Sequence, residues 1–309
     1  MKEEGNIKDF ENHLYKIDVL EGLRKLPNSS IDLIFADPPY NIGKKFGKGK
    51  ENGDKMAKEE YLEWCKKWID ECMRILKPTG TFYFMTSTQN MSYLDVYANE
   101  NYNVICRIVW YYDSSGVQAK NYFGSLYEPI LMIVKDKNLY RFNADKVLVE
   151  TSTGARRKLI NYRKTPPKPY NTKKLMGNVW ELPRVRFRME EYENHPTQKP
   201  EELLKRIILA SSNEGDIVLD PFSGSFTTCA VAKKLNRKFI GFDIEEKYIK
   251  MGLRRLKLAK IYKGEKLIKI KERKTKNKSK KDHLITEQIK PLSSSKPPYQ
   301  QYYNHSYDN

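Results

Sequence analysis

The sequence predicts an α/β protein built around a mostly parallel β-sheet with helices on both faces. Short apolar segments alternate with amphipathic ones through most of the 309 residues. The segment 31–36 is almost continuously apolar, as is typical of a strand buried on both faces of a parallel sheet. Asp37 and Asp220 each follow directly on an apolar strand, which is where open α/β sheets bind ligands.

The individual elements follow from periodicity and from their end signals. Leu20, Leu23 and Leu26 recur at a spacing of three, which predicts a helix over 19–26 after a short strand over 14–19. Next come a strand over 31–36, a helix over 58–76 closed by Lys77-Pro78-Thr79-Gly80, a strand over 81–86, a helix over 89–99, and strands over 104–112 and 129–135. The pattern breaks down over 144–188 and resumes with helices over 200–211, 227–235 and 246–259 and strands over 217–219 and 238–242.

The charge of the chain favours a polyanionic partner such as nucleic acid. Lys and Arg number 57 against 39 Asp and Glu, a net charge of +18 with pI ≈ 9.5. The excess is concentrated in two stretches. Eleven basic residues and one Glu lie in 155–188, and twelve basic and two acidic residues lie in 257–281. From about 263 onward, lysines followed by Ser, Pro and Tyr predict a disordered tail.

Composition also excludes several classes of protein. No run of about 18 apolar residues is present, so we expect no membrane span. The acidic start Met1-Lys2-Glu3-Glu4 lacks the apolar stretch of a signal peptide, and we expect a cytoplasmic protein. The four cysteines show no metal-ligand spacing, so we expect buried thiols and no metal site.

A first candidate site lies over 220–226, where an apolar strand passes into a helix. Gly224 lets the backbone turn tightly and approach a ligand closely. Asp243 ends the next strand, at the spacing where an acidic residue holds a ribose in nucleotide-type sites. The pair indicates a nucleoside cofactor, with an ordinary strand-to-helix turn as the alternative. A pyrophosphate cradle is disfavoured because G-x-G-x-x-G is absent.

The second candidate site is Asp37-Pro38-Pro39-Tyr40. Two prolines fix the backbone and donate no hydrogen bonds, so the Asp37 carboxylate and the neighbouring carbonyls form a rigid cluster of acceptors. Such a cluster suits an amino group, and Tyr40 adds a flat face on which a base could stack. The alternative is a simple proline turn that closes a strand.

Together the two motifs resemble those of the DNA amino-methyltransferases. Their order, with Asp37-Pro38-Pro39-Tyr40 before Asp220-Pro221-Phe222-Ser223-Gly224, is similar to the circularly permuted β class, which has a Rossmann-like S-adenosylmethionine-dependent methyltransferase fold. The segments 34–43, 112–120 and 194–200 bring the resemblance closer to the YhdJ-type adenine-N6 enzymes. It covers about 12–260.

The resemblance implies a role for each motif residue. Asp37, Pro38, Pro39 and Tyr40 would be catalytic and bind the target amine. Asp18 would accept from the adenine amine of S-adenosylmethionine, Asp243 would hold its ribose, and Phe222 would lie along its adenine. The remaining cofactor contacts would come from Asp220, Ser223, Gly224, Ser225 and Lys199. Phe226 departs from the pattern, since many relatives have a glycine there.

The resemblance also organises the chain. It implies a first part of the catalytic domain over 1–143, a target-recognition insertion over 144–190, a second part of the catalytic domain over 191–262 and a basic tail over 263–309. Arg184, Arg186 and Arg188 alternate as on a strand, and the loop over 43–55 is a further candidate to close over DNA. The predicted DNA-binding residues are Ser114, Ser115, Arg156, Arg157, Lys158, Arg163, Arg184, Arg186 and Arg188.

The sequence thus predicts an S-adenosylmethionine-dependent DNA methyltransferase that flips an adenine from double-stranded DNA and methylates N6, with an ATGCAT-type palindrome as an expected target. Asp at position 37 favours adenine over cytosine-N4, which is the first alternative. An RNA or protein methyltransferase is the second, and a basic binding protein without catalysis is a third. A cytosine-C5 mechanism needs a Pro-Cys pair, which is absent. A homodimer and a cognate restriction endonuclease remain open as partners.

We expect His195 to be a cap or packed turn and Trp64 and Trp68 to be core.

Overall fold

A computed structural model describes 6–42, 56–112, 120–151 and 158–258, together with the backbone of 260–263 and 266–269. The α-helices are α1 Val19–Lys25, α2 Lys58–Ile75, α3 Thr88–Asn101, α4 Glu201–Ser211, α5 Thr227–Lys234 and α6 Glu246–Arg255. The strands are β1 His13–Lys16, β2 Ile31–Ala36, β3 Leu76–Met85, β4 Asn103–Tyr111, β5 Tyr127–Val134, β6 Leu148–Glu150, β7 Ile160–Asn161, β8 Lys168–Pro169, β9 Lys173–Leu175, β10 Val179–Glu181, β11 Ile217–Asp220, β12 Lys238–Asp243, β13 Lys260–Lys263 and β14 Lys266–Lys269. Two short 3₁₀ turns lie at Ile7–Asp9 and Ala144–Val147.

One twisted sheet of ten strands organises the described chain, in the order β10-β4-β5-β3-β2-β11-β12-β1-β13-β14. The strands β3, β2, β11, β12 and β1 are mutually parallel, whereas β5 runs antiparallel between β3 and β4. Strands from the two ends of the chain therefore meet at the centre of the sheet. The register pairs Leu33 with Val218 and Ile34 with Leu219, so the carboxyl ends of β2 and β11 lie side by side.

Helices cover both faces of the sheet, as the sequence predicts. Ile34 and Ala36 of β2 belong to the core on the face of α1, α2 and α3, whereas Leu33 and Phe35 belong to the core on the face of α4, α5 and α6. Every residue of β2 is buried because its alternating side chains enter two different cores. This arrangement explains why the segment has no polar face.

The structure differs from the predicted elements at three places. Residues 77–80 do not simply close α2, because β3 begins at Leu76 and the pairing with β2 slips between Ile31 and Leu33. A Cβ on Gly80 would lie 2.9 Å from the Asp32 carbonyl, so this close approach requires glycine. Helix α6 ends at Arg255 rather than near 259.

The third difference is at the end of the chain. The predicted tail begins at 263, but the backbone of β13 pairs with β1 and β14 pairs antiparallel with β13, so the sheet continues to Lys269. This pairing covers the β1 edge, which would otherwise present unpaired backbone groups to water. The rest of the tail lies outside the described residues.

The predicted insertion over 144–190 is not a separate unit along its whole length. Its last strand, β10, joins the main sheet beside β4, and its Trp180 is buried there. Before it, β6 pairs with β9 and β7 pairs with β8 in two small two-stranded sheets. The exposed segment 158–175, which contains β7, β8 and β9, carries lysines and arginines and no acidic residue, and Glu150 of β6 lies opposite Lys173 of β9.

The backbone conformation of Phe226 explains how it can stand where many relatives have a glycine. It adopts a left-handed backbone with φ 57°, the conformation that a glycine supplies most easily. Its ring is fully buried, and a Cβ on Gly241 or Gly252 would lie 2.8 or 2.5 Å from it. The strain at Phe226 is therefore offset by a large apolar side chain that fills the space left by two glycines.

Replacing this ring tests its contribution to stability. Phe226→Ala should lower the free energy of unfolding by about 3–5 kcal/mol, because a buried aromatic ring leaves a cavity. Phe187→Ala, at a side chain 73% exposed, should change it by less than about 0.5 kcal/mol. Denaturant unfolding monitored by circular dichroism measures both, and a loss below about 1 kcal/mol in Phe226→Ala would contradict this interpretation.

Candidate active site

A cleft of about 240 Å³ opens at the carboxyl ends of the parallel strands. Four aspartates line it, one at the carboxyl end of each of four neighbouring strands: Asp18 after β1, Asp37 after β2, Asp220 at the end of β11 and Asp243 at the end of β12. The two motifs that are 183 positions apart in sequence are thus walls of one cavity. The predicted residues Pro38, Pro39, Tyr40, Lys199, Phe222, Ser223, Gly224 and Ser225 line the same cleft.

At the centre of the target-amine wall is an ion cluster. The Lys199 ammonium lies 2.7 Å from Asp37 Oδ2 and 3.5 Å from Glu128 Oε2. Tyr40 completes the cluster, with its hydroxyl 2.8 Å from both Asp37 Oδ1 and Glu128 Oε2. The sequence predicts that Lys199 covers the cofactor, whereas the structure places its ammonium on the Asp37 carboxylate.

The charges of this cluster support one another in a buried place. Burial raises the pKa of Asp37, and the neighbouring Lys199 opposes that rise. Burial also opposes ionisation of Glu128, but Lys199 and the hydroxyls of Tyr40 and Tyr112 hold its pKa below the usual value. The two carboxylates outweigh burial at Lys199 and raise its pKa, so the ammonium is retained.

The backbone of the Asp37-Pro38-Pro39-Tyr40 motif is held from outside. Tyr61 of α2 donates its hydroxyl to the Pro39 carbonyl at 2.7 Å, and Asn90 of α3 donates to the Tyr40 carbonyl at 2.8 Å. Asn41, in the left-handed region at φ 55°, exchanges hydrogen bonds with the Met56 backbone. These contacts fix the backbone of the motif, whose Asp37 and Pro38 line the cleft.

The loop after β11 is shaped by its own side chains. Asp220 Oδ1 accepts from the Phe222 amide at 3.0 Å, and Ser223 donates its hydroxyl to the Asp220 carbonyl at 2.8 Å. Gly224 takes φ 49°, and its amide donates to Asp243 Oδ2 at 2.9 Å. Asp220 is 3% exposed, so it positions the loop and presents little surface to a ligand.

Asp243 and Asp18 provide acceptors at the far side of the cleft. Asp243 Oδ1 accepts from the Glu245 amide, and Asp18 Oδ1 caps α1 by accepting from the Leu20 and Glu21 amides. Asp18 Oδ2 accepts no hydrogen bond from the described residues. Burial raises the pKa of Asp243 to about 7, as it does for Asp220.

An aromatic cluster fixes Phe222. Trp64 and Trp68 are buried in α2, as expected, and meet the Phe222 ring edge-on with centroids 5.7 and 5.2 Å away. The ring is half-buried and lines the cleft with the part that the tryptophans leave uncovered. It therefore forms a firm apolar wall beside the loop.

The segment 191–200 closes the cleft opposite the strands. Gln198 donates to the Glu191 carbonyl and accepts from the Glu193 amide, which folds the segment on itself. His195 stacks edge-on against Tyr248 at 4.4 Å, and burial lowers its pKa to about 3. His195 is thus a neutral packed side chain, consistent with the expected turn.

Arg255 connects this segment to the cofactor loop. Its guanidinium donates to the Ser225 carbonyl and the Thr227 hydroxyl at 3.0 Å, and to Glu201 Oε1 at 2.9 Å. Four site residues lie outside the sequence motifs: Glu128, Tyr61, Asn90 and Arg255. Glu128 stands in an otherwise apolar strand, and that is the one signal that could have identified it.

The predicted DNA-binding residues divide into three groups. Ser114, Ser115, Arg156 and Arg157, like the 43–55 loop, lie outside the described residues. Lys158 and Arg163 are exposed near the β7–β8 ribbon. Arg184 lines the cleft, 5.3 Å from the Tyr112 ring centroid.

Arg184, Arg186 and Arg188 do not alternate on a strand. The chain leaves the sheet after β10, and Arg188 has φ 75°, which no strand residue adopts. Trp110 donates its indole N–H to the carbonyl of Leu182, the residue that follows β10. Of the three, Arg184 reaches the cleft.

No helix of the described residues has the length and apolar character of a membrane span. The same part of the chain holds no group of three or more His, Cys, Asp or Glu side chains arranged to bind a metal ion.

Because Asp220 is buried, replacing it with an uncharged residue should stabilise the protein by an amount that depends on pH. The pKa of Asp220 in the folded protein, about 7, lies above its pKa in the unfolded chain. The contribution of the protonated side chain to the free energy of unfolding is therefore intact below about pH 4 and is lost as pH rises to about 7. Asp220→Asn should therefore stabilise the free protein by about 2–4 kcal/mol at pH 8 and less at pH 5. Thermal unfolding at both pH values measures this, with the exposed Asp9→Asn as control. An equal gain at both pH values would contradict the burial argument.

Comparison with known proteins agrees with this architecture. A model of the N6_N4_Mtase family, described as DNA methylase, matches 31–254. The chain is 59% identical over 268 residues to the DNA adenine methyltransferase YhdJ of Escherichia coli, covering 86% of this chain and 90% of that protein. It is 39% identical to the Type II methyltransferase M.HpaI of Haemophilus parainfluenzae, covering 80% and 74%.

Solved structures share the fold. The PvuII DNA methyltransferase (cytosine-N4-specific) superposes with a TM-score of 0.63 at 18% identity, covering 88% of this chain and 90% of that one, which concerns the fold alone. The M1.HpyAVI–SAM complex gives a TM-score of 0.55 at 27% identity, covering 80% and 99%. The mostly parallel sheet with helices on both faces is therefore that of the S-adenosylmethionine-dependent DNA methyltransferases, and the chain belongs to the N6_N4_Mtase family of DNA methylases.

Proposed function

We propose that this protein transfers a methyl group from S-adenosylmethionine to the N6 amine of adenine in double-stranded DNA. The observation that carries the proposal is the position of Asp37 and Pro38 after β2, in one cleft with the loop that follows β11. An amine held by the first strand end thus faces a cofactor held by the second.

The residues present fit S-adenosylmethionine. Lys16 pairs with Asp243 in the β1–β12 register, so the Asp18 and Asp243 acceptors lie at one edge, suited to an adenine amine and to ribose hydroxyls. Phe222 offers an apolar wall for the adenine, and the backbone of 223–225 would meet the methionine end. When bound, the cofactor supplies an electrophilic methyl group on its sulfonium.

The contribution of the chain to the reaction is positioning and electrostatic stabilisation. An exocyclic base amine is a weak nucleophile because its lone pair is delocalised into the ring. Asp37 and the Pro38 carbonyl would each accept one amine hydrogen, which draws the nitrogen toward tetrahedral geometry and exposes the lone pair. The Tyr40 ring would stack on the base once it is flipped into the cleft.

Adenine is the favoured target because Asp occupies position 37 and because the similar E. coli protein is named an adenine methyltransferase. Cytosine-N4 methylation is the alternative, since the family covers both amines. The ATGCAT-type palindrome expected from the resemblance is proposed as the target sequence. The Type II relatives support a place in a restriction-modification system with a cognate endonuclease, and a homodimer is proposed with it. A cytoplasmic location is proposed as well, since it is consistent with a DNA substrate.

DNA contacts are proposed for two described regions. Lys158 and Arg163, with the other cations of the segment 158–175, would contact phosphates, because they are exposed and the segment itself contains no acidic residue. Arg184 at the cleft mouth would contact the flipped nucleotide or its neighbour. The remaining candidates, Arg186 and Arg188, flank that position.

The central test is product identification. The protein is incubated with labelled S-adenosylmethionine and genomic DNA, the DNA is digested to nucleosides, and the labelled nucleoside is identified. N6-methyladenine is expected, and Asp37→Ala should lower the rate by at least about 100-fold while retaining cofactor binding. N4-methylcytosine would overturn the target, and full activity in Asp37→Ala would overturn the mechanism. Sequencing the modified sites tests the palindrome.

The phosphate contacts proposed for the exposed cations can be tested by a single substitution. Arg163→Ala should weaken binding to all duplexes alike and reduce the slope of log K against log salt by about 1, because one phosphate contact is lost. Arg24→Ala, an exposed arginine in the last turn of α1, serves as the control and should leave the slope unchanged. Binding titrations at several salt concentrations measure both. A changed site preference in Arg163→Ala would contradict the phosphate assignment.

A further inference from the structure

Glu128 is a half-buried carboxylate in the candidate active site that neither motif contains. It lies on β5, which runs antiparallel to its neighbours, opposite Trp110 in the β4–β5 register. Its Oε1 accepts from the Tyr112 hydroxyl at 3.1 Å, and its Oε2 faces the Tyr40 hydroxyl at 2.8 Å and the Lys199 ammonium at 3.5 Å. A carboxylate with this many polar partners in an apolar strand has a specific role.

The geometry shows how Glu128 acts on Asp37. Lys199 lies closer to Asp37, at 2.7 Å, than to Glu128, at 3.5 Å, and Tyr40 has a single hydroxyl proton for the two carboxylates. Lys199 is 7% exposed, so water does little to screen its charge. Without Glu128, the whole charge of the ammonium and the Tyr40 proton would fall on Asp37 and compete with an incoming amine for its oxygens.

We propose that Glu128 is a positioning residue that shares the Lys199 ammonium and the Tyr40 hydroxyl with Asp37, and so keeps Asp37 fixed and still able to accept a hydrogen bond from the target amine. This inference rests on the proposed function. Glu128 itself does not touch the base in this arrangement. It sets the acceptor strength of the residue that does.

Charged and titratable groups approach this cluster from every side. They are Tyr40 after β2, Tyr112 after β4, Glu128 on β5, Arg184 after β10, His195 and Lys199 before α4, and Asp220 at the end of β11. Among them, Lys199 lowers the pKa of Asp37 and Glu128 raises it. The two effects have opposite signs, which makes them separable by substitution.

The direction in which each substitution moves the acid limb of the rate profile follows from the requirement that Asp37 be ionised to accept the amine hydrogens. Glu128→Gln removes a negative charge, so the pKa of Asp37 should fall and the acid limb of the rate profile should move to lower pH. Lys199→Met removes a positive charge, so the limb should move to higher pH. Damage to the fold alone would lower the rate at all pH values without moving the limb.

The experiment is single-turnover methylation of a DNA duplex from pH 5 to 9, with S-adenosylmethionine affinity measured in parallel. Glu128→Gln should lose about 10- to 100-fold in rate at pH 8, because Asp37 is displaced and its charge is drawn to Lys199, while cofactor affinity changes less than about twofold. Glu128→Asp, which retains the charge, should keep the wild-type acid limb with a smaller loss. Glu63→Gln on the surface of α2 is the matched carboxylate-to-amide control.

Two outcomes would overturn the proposal. One is a wild-type rate and pH profile in Glu128→Gln, and the other is a shift of the acid limb in the same direction in Glu128→Gln and Lys199→Met. The proposed function fails separately, when the wild-type protein itself makes no N6-methyladenine. Circular dichroism of each variant verifies that a lost rate does not reflect a lost fold.

Discussion

The side-by-side packing of β2 and β11 at the centre of the sheet is the constraint on which the rest of the site depends. The two strands come from opposite parts of the chain, and their register places Asp37 and Asp220 at the same edge. Because both strands are buried on both faces, this register cannot slip without moving every side chain into the wrong core. The hydrophobic interior thus holds the amine-binding wall and the cofactor loop in contact.

Burial of charged groups in the site lowers the stability of the free protein, and the hydrogen bonds and ion pairs of these groups limit that loss. Asp220 and Asp243 are buried with raised pKa values, and backbone amides of the cofactor loop satisfy their oxygens. Asp37, Glu128 and Lys199 instead compensate one another in an ion cluster. The first arrangement shapes a binding loop, and the second maintains an ionised acceptor where water is scarce.

The residues proposed for catalysis and the cations proposed to attract DNA lie in different environments. The proposed catalytic charges are partly or fully buried and paired with one another, whereas the cations of the segment 158–175 are exposed. Salt screens exposed charges strongly and buried ones weakly, so DNA binding and the methyl-transfer step should respond differently to ionic strength. Arg184 is a cation that lies at the cleft itself, beside Tyr112.

The sequence by itself determined the elements and the two motifs, because these signals are local. The continuous apolar run over 31–36, the leucine spacing of α1 and the proline-fixed acceptors of Asp37 to Tyr40 all depend on neighbours a few positions away. Only the tertiary structure decided what depends on distant neighbours. Glu128 joined the site because β5 folds back between β3 and β4, Lys199 was found on Asp37, and β10 was found in the main sheet. Phe226 adopted a glycine-like backbone because Gly241 and Gly252 leave room for its ring. Such contacts join residues tens to hundreds of positions apart, and no local pattern in the sequence records them.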